Sequence, residues 1–355
     1  MNFEKADKLT PYNPGTGECA IRLDANESCF STPERIRDKI VRAVKEAAFN
    51  RYPDPLATKV CKAFATAYGV DPAFVTAGNG SDELISIIIN TFVSKGQKVL
   101  MAEPDFSMYH FYCALAECEP VVLQKGDDLS LSVDQLLAVA VREKPAMIIF
   151  SNPCNPTGQG ISRKEAMRIV KSVDCLVVID EAYMDFWDES LIGDPQVVGS
   201  QSTGSQIVSS LPENLIVLRT CSKMGFAALR LGFAVAPAKL TGYLRAAKSP
   251  YNVNALTQAA GAAVLGEQGW LRETAAKTVA LKNSLEESLG EIQAQHPRAI
   301  HVFETHTNFT LVRSAKAARI AAMLFDAGIS VRFLPENLLR ITSGTQAENK
   351  ALIAA

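Results

Sequence analysis

The sequence predicts an α/β fold, with a large domain on a mostly parallel sheet and a smaller α+β domain after it. Three features carry that expectation. Short runs rich in Val and Ile are apolar on both faces, as strands buried between two helical layers must be. Longer stretches of helical periodicity separate them, the alternation that builds parallel sheets. After about Leu244 the rhythm breaks into long helical patterns and then short strands. At 355 residues the chain has room for two domains.

In chain order, Phe74–Thr76 reads as a strand leading into the apolar helix Ile85–Phe92. Lys98–Met101, Pro120–Leu123, Ala146–Phe150, Cys175–Ile179, Leu215–Leu218 and Gly232–Ala236 come next as strands. Apolar and β-branched residues fill them, and Gly or Pro stands only at their edges. Val133–Arg142 and Ser162–Ser172 carry helical spacing between them. Further on, Asn254–Leu265 is an Ala-rich helix and Trp270–Leu289 a long amphipathic one. Ala299–Phe303, Thr307–Arg313, Gly328–Phe333 and Leu338–Thr342 read as short strands around one helix, Ala315–Ala327. Asn349–Ala355 reads as a helix that has barely begun.

Charge removes several function classes. Lys and Arg total 36 against 38 for Asp and Glu, a net of -2, so no bulk field steers the chain to nucleic acid or anionic lipid. No window nears the ~20 apolar residues of a membrane span; the longest candidate, Leu84–Ile89, is short and holds Ser86. The mixed charges of Met1–Lys8 are unlike a secretory signal. Eight cysteines (at 19, 29, 61, 113, 118, 154, 175 and 221) contain no Cys-x-x-Cys pair. Reduced thiols in a cytoplasm are therefore expected. The four histidines, at 110, 296, 301 and 306, lack zinc spacing, and no metal is expected.

Ligands of open α/β sheets collect at the carboxyl ends of strands, so the residues just beyond each strand matter most. After Phe74–Thr76 comes Ala77-Gly78-Asn79-Gly80-Ser81-Asp82-Glu83-Leu84. Its glycines permit a tight backbone, and the next helix offers unpaired N–H groups to a phosphate. Alone, this reads first as a plain capped turn, and it lacks the Walker ending and Gly-x-Gly-x-x-Gly. After Phe150 comes Ser151-Asn152-Pro153-Cys154-Asn155-Pro156-Thr157-Gly158, where two prolines bracket Asn155 on a rigid loop. After Ile179 comes Asp180-Glu181-Ala182-Tyr183. A carboxylate at a buried strand end needs a partner, be it a metal, an arginine, a protonated heterocycle or a helix it caps. After Leu218 comes Arg219-Thr220-Cys221-Ser222-Lys223-Met224-Gly225, then Arg230 and Gly232. Lys223, amid small and apolar residues, suits a Schiff-base nucleophile, with Ser222 and Arg230 suited to a phosphate. Together these are the parts that hold pyridoxal phosphate: an imine-forming lysine, a carboxylate for the ring nitrogen, an amide and a phenol for the ring hydroxyl, and a phosphate cradle.

These motifs resemble the fold-type-I pyridoxal-phosphate aminotransferases of classes I and II. More narrowly, the chain resembles the histidinol-phosphate aminotransferase family over nearly its whole length. That rests on Leu9-Thr10-Pro11-Tyr12-Asn13-Pro14-Gly15, Leu23-Asp24-Ala25-Asn26-Glu27, Arg51-Tyr52-Pro53-Asp54-Pro55, Gly80–Leu84, Pro250-Tyr251-Asn252-Val253-Asn254 and Leu339–Thr345. The resemblance implies a mostly parallel seven-stranded sheet in a large cofactor domain, residues 30–247. It implies a small domain, residues 248–355, joined by an amino-terminal arm, residues 1–29, and a homodimer. Lys223 would form the imine and shuttle a proton, Asp180 would pair with the ring nitrogen, and Asn155 and Tyr183 would contact the ring hydroxyl. Gly80, Ser81, Asp82, Ser222 and Arg230 would hold the cofactor phosphate, joined by Tyr52 from the neighbouring subunit. Tyr109 would cover the ring, with Phe106 competing for that place. Arg340, Arg332 and Tyr12 would face the anionic group of the substrate.

The reaction implied is transamination between L-histidinol phosphate and 2-oxoglutarate, giving imidazole acetol phosphate and L-glutamate in histidine biosynthesis. Two other activities stay open on the same resemblance: a lyase like threonine-phosphate decarboxylase, and an aminotransferase for aromatic or other amino acids. Ser28-Cys29-Phe30-Ser31, where many relatives continue Asn-Pro-aromatic-Gly, alters the lip of the substrate site. A regulator built on this fold usually carries a DNA-binding domain, for which 355 residues leave no room.

Overall fold

The computed structural model describes residues 19–193 and 210–355. Among them the chain runs β1 (Ile21–Leu23), α1 (Glu34–Lys45), α2 (Thr58–Tyr68), β2 (Val75–Gly78), α3 (Gly80–Phe92), β3 (Lys98–Glu103), α4 (Met108–Leu115), β4 (Glu119–Gln124), α5 (Val133–Glu143), β5 (Met147–Ser151), α6 (Arg163–Ser172) and β6 (Leu176–Asp180). It continues with β7 (Leu215–Thr220), β8 (Gly232–Val235), α7 (Ala238–Ala247), α8 (Ala255–Leu265), α9 (Gln268–Gln295), β9 (His301–Phe303), β10 (Phe309–Arg313), α10 (Ala317–Asp326), β11 (Ile329–Leu334), β12 (Leu338–Thr342) and α11 (Gln346–Ala354).

Seven of these strands form one sheet in the order β2-β8-β7-β6-β5-β3-β4. Pairing is parallel from β4 through β3, β5 and β6 to β7. Only β8 runs against its neighbours, β7 and β2. The doubly apolar strand pattern has a direct cause here. Ile148, Phe150, Val177, Ile179 and Val217 feed one core, while Met147, Ile149, Val178, Ile216 and Leu218 feed another on the opposite face. Each such side chain contributes about 1.5–3 kcal/mol by leaving water, which is why apolar residues fill both faces of these strands.

The second sheet has five strands, ordered β1-β11-β12-β10-β9. β1 joins β11 in parallel, so the amino-terminal arm completes a sheet made otherwise by the carboxyl-terminal third. Leu285 and Leu289 of α9, Leu324 of α10 and Leu352 of α11 pack on Leu23, Val312 and Ile341 from that sheet. Helix α8 instead packs against α1 and α2. The strands expected from sequence all occur, each within two or three residues of its expected ends. β1, α1, α2, α4 and α7 had no sequence expectation. In α1 the periodic signal is present, since Ile36, Ile40 and Val44 recur every four residues on one face, although only Ile36 among its twelve residues is buried. No described helix is long and apolar enough to cross a membrane.

Candidate functional site

Because β5, β6 and β7 are parallel neighbours, their carboxyl ends emerge at one edge, with Ser151 in register with Asp180 and Asp180 with Leu218. Above that edge lies a cleft of about 690 Å³. Of the residues singled out from sequence, Ser81, Asp82, Tyr109, Asn155, Asp180, Tyr183, Ser222, Lys223, Arg230, Arg332 and Arg340 all line it. Gly80 forms the backbone immediately behind Ser81. Tyr52 does not line this cleft; it is 81% exposed and stacks on Tyr251, ring centroids 4.6 Å apart. Tyr12 lies outside the described residues.

At the floor of the cleft, Asp180 is buried and accepts hydrogen bonds from the Tyr109 hydroxyl at 3.1 Å and the Ala182 N–H at 3.1 Å. Neither partner is a cation, and burial pushes the carboxyl up to about 7. The Tyr109 hydroxyl is held well above its ordinary value by burial and by the Asp180 charge beside it. Glu181 points the other way, as strand alternation demands. It accepts from Ser190 at 2.6 Å and pairs with buried Arg219 at 3.1 Å, which also reaches Asp185 at 2.7 Å. The two adjacent acids therefore do not act as a metal-binding pair. Among the described residues no cluster of His, Cys, Asp and Glu could hold a metal ion.

Lys223 sits in a tight turn, Ser222–Met224, directly after β7, with Nζ 5.6 Å from the centre of the Tyr183 ring. The Tyr183 hydroxyl accepts from Asn26 Nδ2 at 2.7 Å. To one side lies an anion cradle. Gly80 opens α3 at φ +77°, where a Cβ would come within 2.8 Å of Arg230 Nη2. A Cβ on Gly232 would run into the Gly80 carbonyl carbon and the Ser81 nitrogen, so β8 must be bare at this point. Arg230 reaches Ser222 Oγ at 3.4 Å and Asp82 at 3.5 Å, and the Thr220 hydroxyl donates to Ser222 Oγ at 3.0 Å. The first N–H groups of a helix have no partner within it, so this end of α3 completes a donor set suited to a phosphate.

From the smaller sheet, Arg332 and Arg340 stand in register on β11 and β12. Arg340 donates to Asn155 Oδ1 at 2.6 Å and to the Asp24 carbonyl at 2.7 Å. Asn155 is braced in turn: its N–H donates to Ser151 Oγ at 3.2 Å, and Ser151 donates to half-buried Asp105. Burial pushes the Asp105 carboxyl up, while Lys125 opposes it. Lys125 donates to the Pro104 carbonyl at 2.8 Å and to Cys154 Sγ at 3.1 Å. Asn26, Gly232, Asp105 and Lys125 had no expected role in the site. Asn26 and Gly232 fall within motifs that carry the resemblance, but what they do there depends on partners distant in sequence.

The profile described as "Aminotransferase class I and II" matches residues 19–355. A histidinol-phosphate aminotransferase of Clostridium novyi is 38% identical over 97% of this chain and 92% of its own length. The same enzyme of Clostridium kluyveri is 37% identical over 99% of this chain and 96% of its own length. Among solved structures, histidinol-phosphate aminotransferase from Sinorhizobium meliloti, in complex with pyridoxal-5'-phosphate, superposes with a TM-score of 0.84 at 24% identity. That match covers 100% of this chain and 96% of the other.

Proposed function

The chain belongs to the class I and II aminotransferase family, and on that premise we propose that it transfers the amino group of L-histidinol phosphate to 2-oxoglutarate. Pyridoxal phosphate is its cofactor; when bound, it supplies the carbonyl that carries the amino group and a ring that draws electrons from the reacting carbon. The residues fit it. Gly80 and Gly232 leave open backbone where a Cβ could not stand, with Ser222 and Arg230 beside it. Buried Asp180, without a cation of its own, holds a proton on the ring nitrogen.

One observation carries the reading: Lys223 and Asp180, from neighbouring parallel strands, face the same cleft as the in-register pair Arg332 and Arg340. Lys223 Nζ binds the cofactor and then moves the proton at the reacting carbon. Tyr183 and the Asn155 amide orient the ring oxygen. Tyr109 binds Asp180 through its hydroxyl and walls the cleft beside Phe106, the two rings 5.6 Å apart edge to face. Arg332 and Arg340, with Tyr12, take the phosphate of histidinol phosphate and, in the second half of the reaction, a carboxylate of 2-oxoglutarate.

We further propose a homodimer in which Tyr52 reaches the partner's cofactor phosphate. Its exposure, and its place outside the lining of its own chain's cleft, support that assignment. The division into an arm at 1–29, a large unit at 30–247 and a small unit at 248–355 is supported by the pairing of β1 with β11. A cytoplasmic setting agrees with eight free cysteines.

The test is a half-reaction. Protein loaded with pyridoxal phosphate should lose its visible absorption on addition of L-histidinol phosphate alone. It should regain it with 2-oxoglutarate while releasing one glutamate per site. Bleaching only by aromatic amino acids, or carbon dioxide released from O-phospho-L-threonine, would overturn the substrate assignment.

A further inference from the structure

Asn26 stands after β1 on the amino-terminal arm and is 1% exposed. Its backbone is left-handed, φ +55°, and every polar group it has is engaged. Its N–H donates to Thr342 Oγ1 at 2.9 Å, and its carbonyl accepts from Asn308 Nδ2 at 3.1 Å. In the side chain, Oδ1 accepts the Thr342 hydroxyl at 3.1 Å, and Nδ2 donates to the Tyr183 phenol oxygen at 2.7 Å. Thr342 has one hydroxyl hydrogen, and spending it on Oδ1 sets the amide so that its NH2 group faces Tyr183.

That orientation decides what Tyr183 can do. A phenol has one hydrogen to give. An asparagine oxygen facing it would take that hydrogen, whereas an NH2 group fills a lone pair and leaves the hydrogen to point elsewhere. Among the described residues the Tyr183 hydrogen has no acceptor, and Tyr183 lines the cleft. We propose that Asn26 is a positioning residue that aims the Tyr183 hydroxyl into the cleft, so that it donates to the ring oxygen of the cofactor. This rests on the cofactor reading above. A hydrogen bond given to that oxygen favours its anionic form. Asn26 therefore lowers the pH at which the lysine-bound cofactor changes its visible absorption. Thr342 and Asn308, at the ends of β12 and β10, tie that setting to the smaller sheet.

The experiment is a pH titration of the visible band in loaded protein, with no substrate present. Asn26→Asp puts an acceptor against Tyr183, and the midpoint should rise by about one pH unit, a tenfold change in the ionisation constant. Asn26→Gly keeps the left-handed backbone, removes the side-chain donor together with the Oδ1 that Thr342 holds, puts no acceptor against Tyr183, and should raise the midpoint less. In a Tyr183→Phe background at least half of either rise should vanish, since Asn26 acts through the phenol. Equal rises in both backgrounds would mean that charge or loosened packing acts directly, and would overturn the proposal, as would an unmoved midpoint. If Asn26→Asp does not fold, the Asn26→Gly pair of titrations decides alone. A wild-type protein that forms no visible band with pyridoxal phosphate would remove the cofactor premise itself, a different failure from an unmoved midpoint.

Discussion

Asp180 and Glu181 show how one position in a strand separates two identical functional groups. Glu181 is turned to the core and neutralised by Arg219, whereas Asp180 is buried with only hydroxyl and amide donors. Its carboxyl is pushed from 3.8 up to about 7 by burial, so folding of the apoprotein favours the protonated acid. A raised carboxyl stabilises the fold fully below its unfolded value and loses that contribution as pH climbs through the folded value. Relative to an Asp180→Asn variant, the wild-type apoprotein should therefore lose about 1.4 kcal/mol per pH unit between roughly pH 4 and 7. Urea unfolding of both proteins at pH 5, 6, 7 and 8, after removal of pyridoxal phosphate, measures this. Parallel stability curves would refute it. Restoring the cofactor should flatten the difference between roughly pH 4 and 7, since a protonated ring would then favour the carboxylate in the folded protein.

At the scale of elements, the anion cradle depends on how closely β8 approaches the start of α3. Adding a Cβ at Gly232 forces the backbone of Gly80 and Ser81 to move. Gly232→Ala should cost about 1–3 kcal/mol by overpacking and weaken pyridoxal phosphate at least tenfold in a fluorescence titration of apoprotein. A methyl group added at Gly242, in α7, would meet nothing within 4 Å, so Gly242→Ala should leave affinity alone and gain about 0.5–1 kcal/mol from helix propensity. Equal effects on affinity would remove the close approach as the cause. The contrast also marks what a sequence can disclose. Asp180, Lys223 and Arg230 were legible because each comes after a doubly apolar run, and parallel topology sends such positions to one edge. The large sheet was legible for the same reason. Gly232 and Asn26 were not, since their roles arise from elements 152 and 157 residues away, Gly80 and Tyr183. Helices α1 and α2 could have been read as well, since Ile36, Ile40 and Val44 in one and Val60, Cys61 and Phe64 in the other recur at helical spacing.

For the whole molecule, the decisive surface is the loop between α1 and α2. Phe49 and Tyr52 are 77% and 81% exposed, and Leu56, nearby in sequence, and Tyr251, stacked on Tyr52, lie open beside them. The loop is not loose: Lys248 donates to the Pro55 carbonyl at 2.6 Å and Gln258 to the Asp54 carbonyl at 2.9 Å. Rigid, exposed aromatic rings of this kind suit an interface between subunits. A homodimer of twice 38.4 kDa should appear in sedimentation at micromolar concentration. Its active sites can be tested for sharing. Lys223→Ala should abolish transamination, and Tyr52→Ala should impair it by weakening the hold on the cofactor phosphate. If Tyr52 serves the other subunit, refolding the two variants together creates heterodimers with one intact site, which has its own Lys223 and the partner's Tyr52. Random pairing makes half the dimers mixed and half their sites whole, so activity should rise towards one quarter of wild type. A mixture no more active than the average of its parents would place Tyr52 outside the neighbouring site.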